Sequence, residues 1–344
     1  MKNIEIYDLE DCKTSIKNGL YGGAAGSKDG IIVGGENWMV KYPKSTRSMN
    51  GVEISYTNSP VCEYLGSHVY QILGYKAHDT ILGVRHGKLV VACKDFTDGE
   101  TALAEIRTIK NHANEILSEE LGVDMDSTGD AHHVNLTNLM LHIRNNPILT
   151  AIPGVEERFF EQVIIDIYIN NSDRNNGNWG ILRHSDGSPD TLAPVYDNGG
   201  SFQDKLSNEK AIHVLEDRSL AGKYACGIQT AYADDNDRIY SAVRFLALRT
   251  EYPKLGEALQ KVVPLIESHK QEINALIDGI PTTIRDRQGN RYEVCGHPIK
   301  ELYKLQLNAR LEKLIKPELQ KTLNELESTR TSYRLSKSRD DWER

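Results

Sequence analysis

The chain has 344 residues, with 49 acidic against 41 basic side chains and a formal charge of −8, and an isoelectric point near 5.8. Such a length exceeds one small domain and suits two lobes sharing a cleft, with a substantial core in the larger. The acidic balance argues against a dedicated nucleic-acid binder, which needs a basic face to displace counterions, and nowhere do about 18 apolar residues run together to span a membrane.

The N-terminus, MKNIEIYDLEDCK, alternates charged with apolar residues and lacks the continuous apolar stretch of a secretory signal. Cys12, Cys62, Cys93, Cys226 and Cys295 are odd in number, scattered, and without metal-ligand spacing, the pattern of reduced thiols. A cytoplasmic location is therefore expected, with export by a route that needs no signal peptide left open.

Gly22, Gly23, Ala24, Ala25, Gly26, Ser27 and Lys28 form a glycine-rich loop. Its backbone N–H groups can approach phosphate oxygens closely, and Lys28 adds positive charge. It matches neither G-x-G-x-x-G nor the P-loop pattern, and by itself reads equally as a flexible turn. Ile31–Val33 and Trp38–Tyr42 are β-prone runs joined through Gly34 and Gly35, a hairpin signal. Lys41 sits inside the second run, where a lysine is costly to bury unless paired.

From Ser59 the period changes. Val61, Leu65, Val69, Ile72 and Leu73 share one helical face, with Ser59 as expected N-cap, Pro60 at the first helical position and Gly74 as closing residue. Glu63 on this helix is the natural partner for Lys41, and such a strand-lysine and helix-glutamate pair holds nucleotide phosphates in protein kinases. Two further strands are expected at Thr80–Val84 and Lys88–Cys93. The latter stops abruptly at Lys94, Asp95 and Phe96, where backbone groups can meet an adenine. The composition then shifts toward helix, so a small lobe over residues 1–93, a hinge at 94–97 and a helical lobe over 98–328 are expected, followed by a polar tail over 329–344 that frays. The fold class is α+β.

The helix expected over Val155–Asn171 leads into NSDRNNGNWG, where Asp173 and Asn178 stand five apart in a loop. Protein kinases use that spacing: a carboxylate orients or accepts the proton of the attacking hydroxyl, and a neutral amide oxygen ligates Mg²⁺ without adding charge. Taken alone, the pattern also suits a solvated polar loop. NWGILR and TLAPVYD then predict a hairpin, and a hairpin brings its two ends together, so Asn178 and Asp197 are expected to face one ion. Two protein oxygens suffice for Mg²⁺, whose other ligands are waters and phosphates. Glycine loop, strand lysine, helix glutamate, linker strand, catalytic aspartate and two metal ligands occur once each, in the order a kinase needs.

At GGAAGSK, WMVKYP, ISYTNSPVCEYLGSHV, VVACKDF, SDRNNGNWG and PVYDNGG, over roughly residues 20–205, the sequence resembles the HipA-like bacterial serine/threonine kinases. The resemblance implies a two-lobed, kinase-like fold with ATP in the cleft and phosphorylation of Ser or Thr. It implies Asp173 as catalytic base, Asn178 and Asp197 as Mg²⁺ ligands, Lys41 as phosphate anchor and Lys94–Phe96 as adenine-side hinge. Two departures stand out. Asn175 occupies a place where many relatives have His, and Asn18-Gly19-Leu20-Tyr21 replaces the region of an inhibitory phosphoserine, leaving Ser27 or Tyr21 as alternatives for autophosphorylation. The expected partner is a protein substrate of unstated identity. A lipid or small-molecule kinase, and a toxin-type nucleotide-binding module held by an antitoxin-like partner, are the rival readings.

Overall fold

The computed structural model describes residues 4–21, 27–123, 125 and 133–340, with backbone only for 218 and 329–340. Most of the predicted glycine loop, 22–26, lies outside the described residues.

The first sheet has five strands, ordered β1-β4-β5-β3-β2: β1 Ile6–Asp8, β2 Lys28–Val33, β3 Glu36–Lys41, β4 Thr80–Arg85 and β5 Lys88–Lys94. The β2–β3 turn is made by Gly34 and Gly35, with φ of 60° and 87°. Both angles are positive, as the tight hairpin turn requires, and the register closes at Val33 opposite Glu36. Strand β1 pairs parallel with β4, Ile6 opposite Leu82, an addition that three polar-flanked residues do not announce in sequence.

Alternation along the strands sorts their side chains to two faces. Trp38 and Val40 of β3 join Val90 and Ala92 of β5, with Leu9 and Ile31, in a small separate cluster. Val91 and Cys93 point the other way, into the main core. Lys41, one residue beyond Val40, therefore faces the same side as Cys93.

Helix α1, Ser59–Ile72, crosses this inner face. Its N-cap is Asn58 rather than the expected Ser59, and no side-chain cap bond forms. Asn58 is instead spent on the chain just before the helix Asn208–Glu216, its N–H donating to Asp204 O and its amide to Leu206 O. Gly74 does take the left-handed conformation, with φ of 83°. Where one apolar face was expected, the helix is buried nearly all round, because it lies between strands β4 and β5 and a long helix of the other lobe, Pro253–Gly279.

The larger lobe begins with β6, Thr101–Glu105, and continues through α2 Ile106–Leu121, β7 Val134–Asn135, α3 Leu136–Asn145, α4 Pro147–Thr150 and α5 Val155–Ile169. After α5 come β8 Gly180–His184, β9 Thr191–Leu192, α6 Asn208–Glu216, α7 Arg218–Cys226, β10 Gln229–Ala233, β11 Ile239–Ser241 and α8 Ala242–Ala247. The chain ends with α9 Pro253–Gly279, β12 Thr283–Arg285, β13 Arg291–Glu293, α10 His297–Arg310 and α11 Lys316–Asp340. Helices α5 and α9 pack on each other at its centre.

The helical reading beyond Thr97 missed β6. The residues Thr-Ala-Leu-Ala-Glu have little intrinsic strand preference, and pairing with β8, Ala104 opposite Ile181, overrides it. The backbone of α11 continues helical to Asp340, into the polar tail expected over 329–344. Among the described residues no helix is long and apolar enough to cross a membrane.

Candidate active site

The two lobes enclose a cavity of about 920 Å³ lined by Lys28, Lys41, Glu63, Asp173, Asp197 and Gly200, among others. Lys41 Nζ donates to Glu63 Oε2 at 2.8 Å and to Asp197 Oδ1 at 2.9 Å. Burial by itself would lower a lysine's pKa, but the Asp197 and Glu63 carboxylates outweigh it and hold the ammonium well above its ordinary value. Glu63 behaves conversely. Burial pushes its carboxyl up, yet the Lys41 ammonium and the hydrogen bond from His78 hold it well below the usual carboxylate range.

Asp173 reaches the same cavity from the loop after α5. Its carboxyl is raised by burial first and by the Asp197 carboxylate second, against the hydrogen bond it accepts from Asn175. That bond, Asn175 Nδ2 to Asp173 Oδ1, measures 3.1 Å. Asn175 Oδ1 in turn accepts from Arg107 at 3.0 Å and from the Gly177 N–H at 2.9 Å. Asn175 thus braces the aspartate directly. Asn178 Nδ2 donates to the Asp173 carbonyl at 2.6 Å, so the amide is oriented and its oxygen is the end left to act as a ligand.

Asn178 and Asp197 are drawn together less by the hairpin than by Arg174. The second hairpin strand stops at Leu192, and Val195 pairs instead with Ala77. Arg174, 1% exposed, donates to the carbonyls of Asn178 and Tyr196, to Asn198 Oδ1, and to both oxygens of Asp166. Asp166 also accepts from Tyr70 of α1 at 2.8 Å. One buried guanidinium therefore ties the Asp173 loop, the Asp197 loop and α5 together. Asp166 was the overlooked signal: a carboxylate in the apolar run Val163–Ile169 needs a buried cation, and Arg158 and Arg174, each eight residues away, are the nearest in sequence.

The Asp197 loop needs close quarters. Asp197 has a left-handed φ of 57°, a conformation that Asp tolerates better than most residues. A Cβ on Gly66 of α1 would lie 2.7 Å from Asn198 Cβ and 2.9 Å from Ser201 Oγ, so only glycine lets the loop lie on the helix.

Lys94, Asp95 and Phe96 are placed differently. They line a second cavity of about 530 Å³, with Gln71, Asp79 and Pro194. Lys94 pairs with Glu36 at 2.8 Å. Asp95 accepts from Lys17 at 2.9 Å and Tyr21 at 2.8 Å, and Phe96 packs on Tyr196. Their side chains are not brought into the principal cleft. Of the glycine loop, Ser27 and Lys28 line that cleft.

No protein-family model matches the chain. Among curated proteins, the serine/threonine-protein kinase CtkA of Helicobacter pylori (strain J99) is 32% identical over 276 residues, which is 80% of this chain and 79% of that protein. The crystal structure of a Helicobacter pylori proinflammatory kinase CtkA superposes with a TM-score of 0.77 at 26% identity, covering 93% of this chain and 98% of that one. A Shewanella oneidensis MR-1 complex of HipA, HipB and operator DNA matches at 15% identity and a TM-score of 0.49, over 92% of this chain and 70% of that one. With 32% identity sustained over four-fifths of its length and a fold shared almost end to end with CtkA, the chain belongs to the CtkA family of serine/threonine protein kinases and has a two-lobed, kinase-like architecture.

Proposed function

We propose that the cleft binds ATP with Mg²⁺ and delivers the γ-phosphate to a Ser or Thr hydroxyl of a protein, with Asp173 positioned for the acceptor's proton. The observation that carries this is the Lys41 ammonium, held between Glu63 and Asp197 in the cavity that Asp173 also lines. The amide oxygen of Asn178 and the partly exposed carboxylate of Asp197 are hard oxygen donors of the kind Mg²⁺ prefers. Bound there, the ion would neutralise charge developing on the phosphates. Lys41 anchors the phosphates, Lys28 adds positive charge at the mouth, and Asp173, its pKa raised by burial, accepts or orients the hydroxyl's proton. In the hinge over 94–97 the N–H groups of Lys94, Asp95 and Thr97 donate to Asp79 O, Asn37 O and Asp95 Oδ1, so the Phe96 N–H and the hinge carbonyls are the groups that serve adenine.

Autophosphorylation belongs to the same reading. Tyr21 donates its hydroxyl to Asp95 at 2.8 Å, whereas Ser27 lines the cleft and is the acceptor proposed here.

The test is transfer from radiolabelled ATP and Mg²⁺, comparing the protein with Asp173→Asn, alone and with myelin basic protein as acceptor. Acid-stable label on wild type and none on the variant is expected. Equal labelling of both would remove Asp173 from its role. ATP binding without any transfer would turn the reading toward an interaction module.

A further inference from the structure

His78 lies between α1 and β4, is 3% exposed, and has no direct part in the chemistry proposed above. It bonds in two directions. Its backbone N–H donates to Val195 O at 2.9 Å, two residues before Asp197. Its ring Nε2 stands 3.0 Å from Glu63 Oε1 and 3.0 Å from Ser67 Oγ. A carboxylate can only accept, so Nε2 carries the proton in the first of these contacts.

The surrounding bonds close the frame. Lys76 O accepts from Val195 N–H at 2.9 Å, and Ala77 pairs in parallel with Val195. Glu63 Oε1 also accepts from the Asn198 N–H at 2.8 Å, and Asn198 Nδ2 donates to Ser67 Oγ at 3.0 Å. The helix carrying Glu63 and the segment carrying Asp197 thus touch directly through Asn198, and His78 bonds to both. Helix α1 packs on α9 and shares the larger lobe's core, so no swing of that helix is free to set the Lys41–Glu63 pair. What remains adjustable is the carboxylate torsion of Glu63, which is broad for a terminal sp³–sp² bond.

We infer that His78 is a positioning residue for phosphoryl transfer: it fixes Glu63 so that Oε2 faces Lys41 while its own backbone holds the Asp197 segment in register. This rests on the reading of Lys41 as phosphate anchor. Without the imidazole, Oε1 keeps the Asn198 N–H alone, the carboxylate turns, and Lys41 loses its aligned partner. A neutral donor at the Nε2 position is enough to prevent this, which the amide of glutamine supplies.

The experiment compares His78→Ala, His78→Gln and Lys41→Ala in the full chain, measuring steady-state transfer to myelin basic protein together with thermal melting. His78→Ala is expected to lower kcat by roughly 10- to 100-fold, the range typical of residues that orient a functional ligand, with the acceptor KM unchanged. His78→Gln is expected to melt like wild type and to recover most of that loss. Wild-type kcat in His78→Ala alongside an inactive Lys41→Ala overturns this inference and leaves the anchor reading intact. A His78→Gln protein as impaired as His78→Ala, yet fully stable, also overturns it, because the donor would then not matter. An active Lys41→Ala overturns both.

Discussion

Arg174→Met separates stability from catalysis in a way the structure makes quantitative. Methionine is unbranched and close in volume, so the change removes the charge and its donors while largely filling the space. Asp166 then loses the bonds at 2.9 and 3.2 Å from the guanidinium and keeps the Tyr70 hydroxyl at 2.8 Å and the Asn171 amide at 3.2 Å. A buried carboxylate stripped of its cation costs about 3–5 kcal/mol. That is a large part of the roughly 5–15 kcal/mol that holds a folded protein together. Urea unfolding followed by fluorescence of Trp179, buried five residues beyond Arg174, reads the loss directly. Adding Asp166→Asn removes the stranded charge and is expected to restore part of the stability. It is not expected to restore phosphate transfer, because the carbonyls of Asn178 and Tyr196 still lack their shared donor. A cost below about 1 kcal/mol for Arg174→Met, within the range of an exposed ion pair, would refute the buried-pair reasoning. Recovery of activity in the double variant would refute the role assigned to Arg174 in joining the two loops.

Gly66→Ala places a methyl 2.7 Å from Asn198 Cβ, so the Asp197 loop must lift; a cost of about 1–3 kcal/mol and a fall in kcat are expected, whereas Gly99→Ala, which meets nothing within 4 Å, changes neither. Mg²⁺ with ATP at about a hundred times its dissociation constant is expected to stabilise the protein by about 2.7 kcal/mol, read as a rise in melting temperature. Asp197→Ala should lose most of that rise and Asp173→Asn should keep it; the opposite pattern would exchange their roles. Asp95 supplies a pH dependence. Burial pushes its carboxyl up, but hydrogen bonds from Thr97 and Lys17 prevail and hold it below the ordinary aspartate value. A depressed carboxylate stabilises above the unfolded-state pKa, and that contribution is lost as pH falls through the folded one. Protection factors over residues 15–21, taken relative to the intrinsic exchange rate at each pH, should therefore fall on acidification, and Asp95→Asn should show the low protection already at neutral pH.

Much of the small lobe was legible because its signals are local. Gly34 and Gly35 specify a turn, Pro60 and Gly74 bracket a helix, and a lysine inside Trp38–Tyr42 asks for a carboxylate that Glu63 supplies. Strands β1 and β6 were not legible, since each is defined by its partner rather than by its composition. Nor was the placement of Lys94, Asp95 and Phe96: a strand terminus does not say which neighbours will claim its side chains, and Glu36, Lys17 with Tyr21, and Tyr196 claimed them.

The order and spacing of Lys41, Glu63, Asp173, Asn178 and Asp197 pointed to phosphoryl transfer because the chemistry itself requires those groups in one cleft. Only the tertiary structure decided how they are held. Arg174 and His78 work through partners between 4 and 24 residues away in one case and between 11 and 117 in the other, a network that distance in sequence hides. Buried polar groups must find partners wherever the fold brings them, and that condition becomes visible only once the helices and sheet have closed around them.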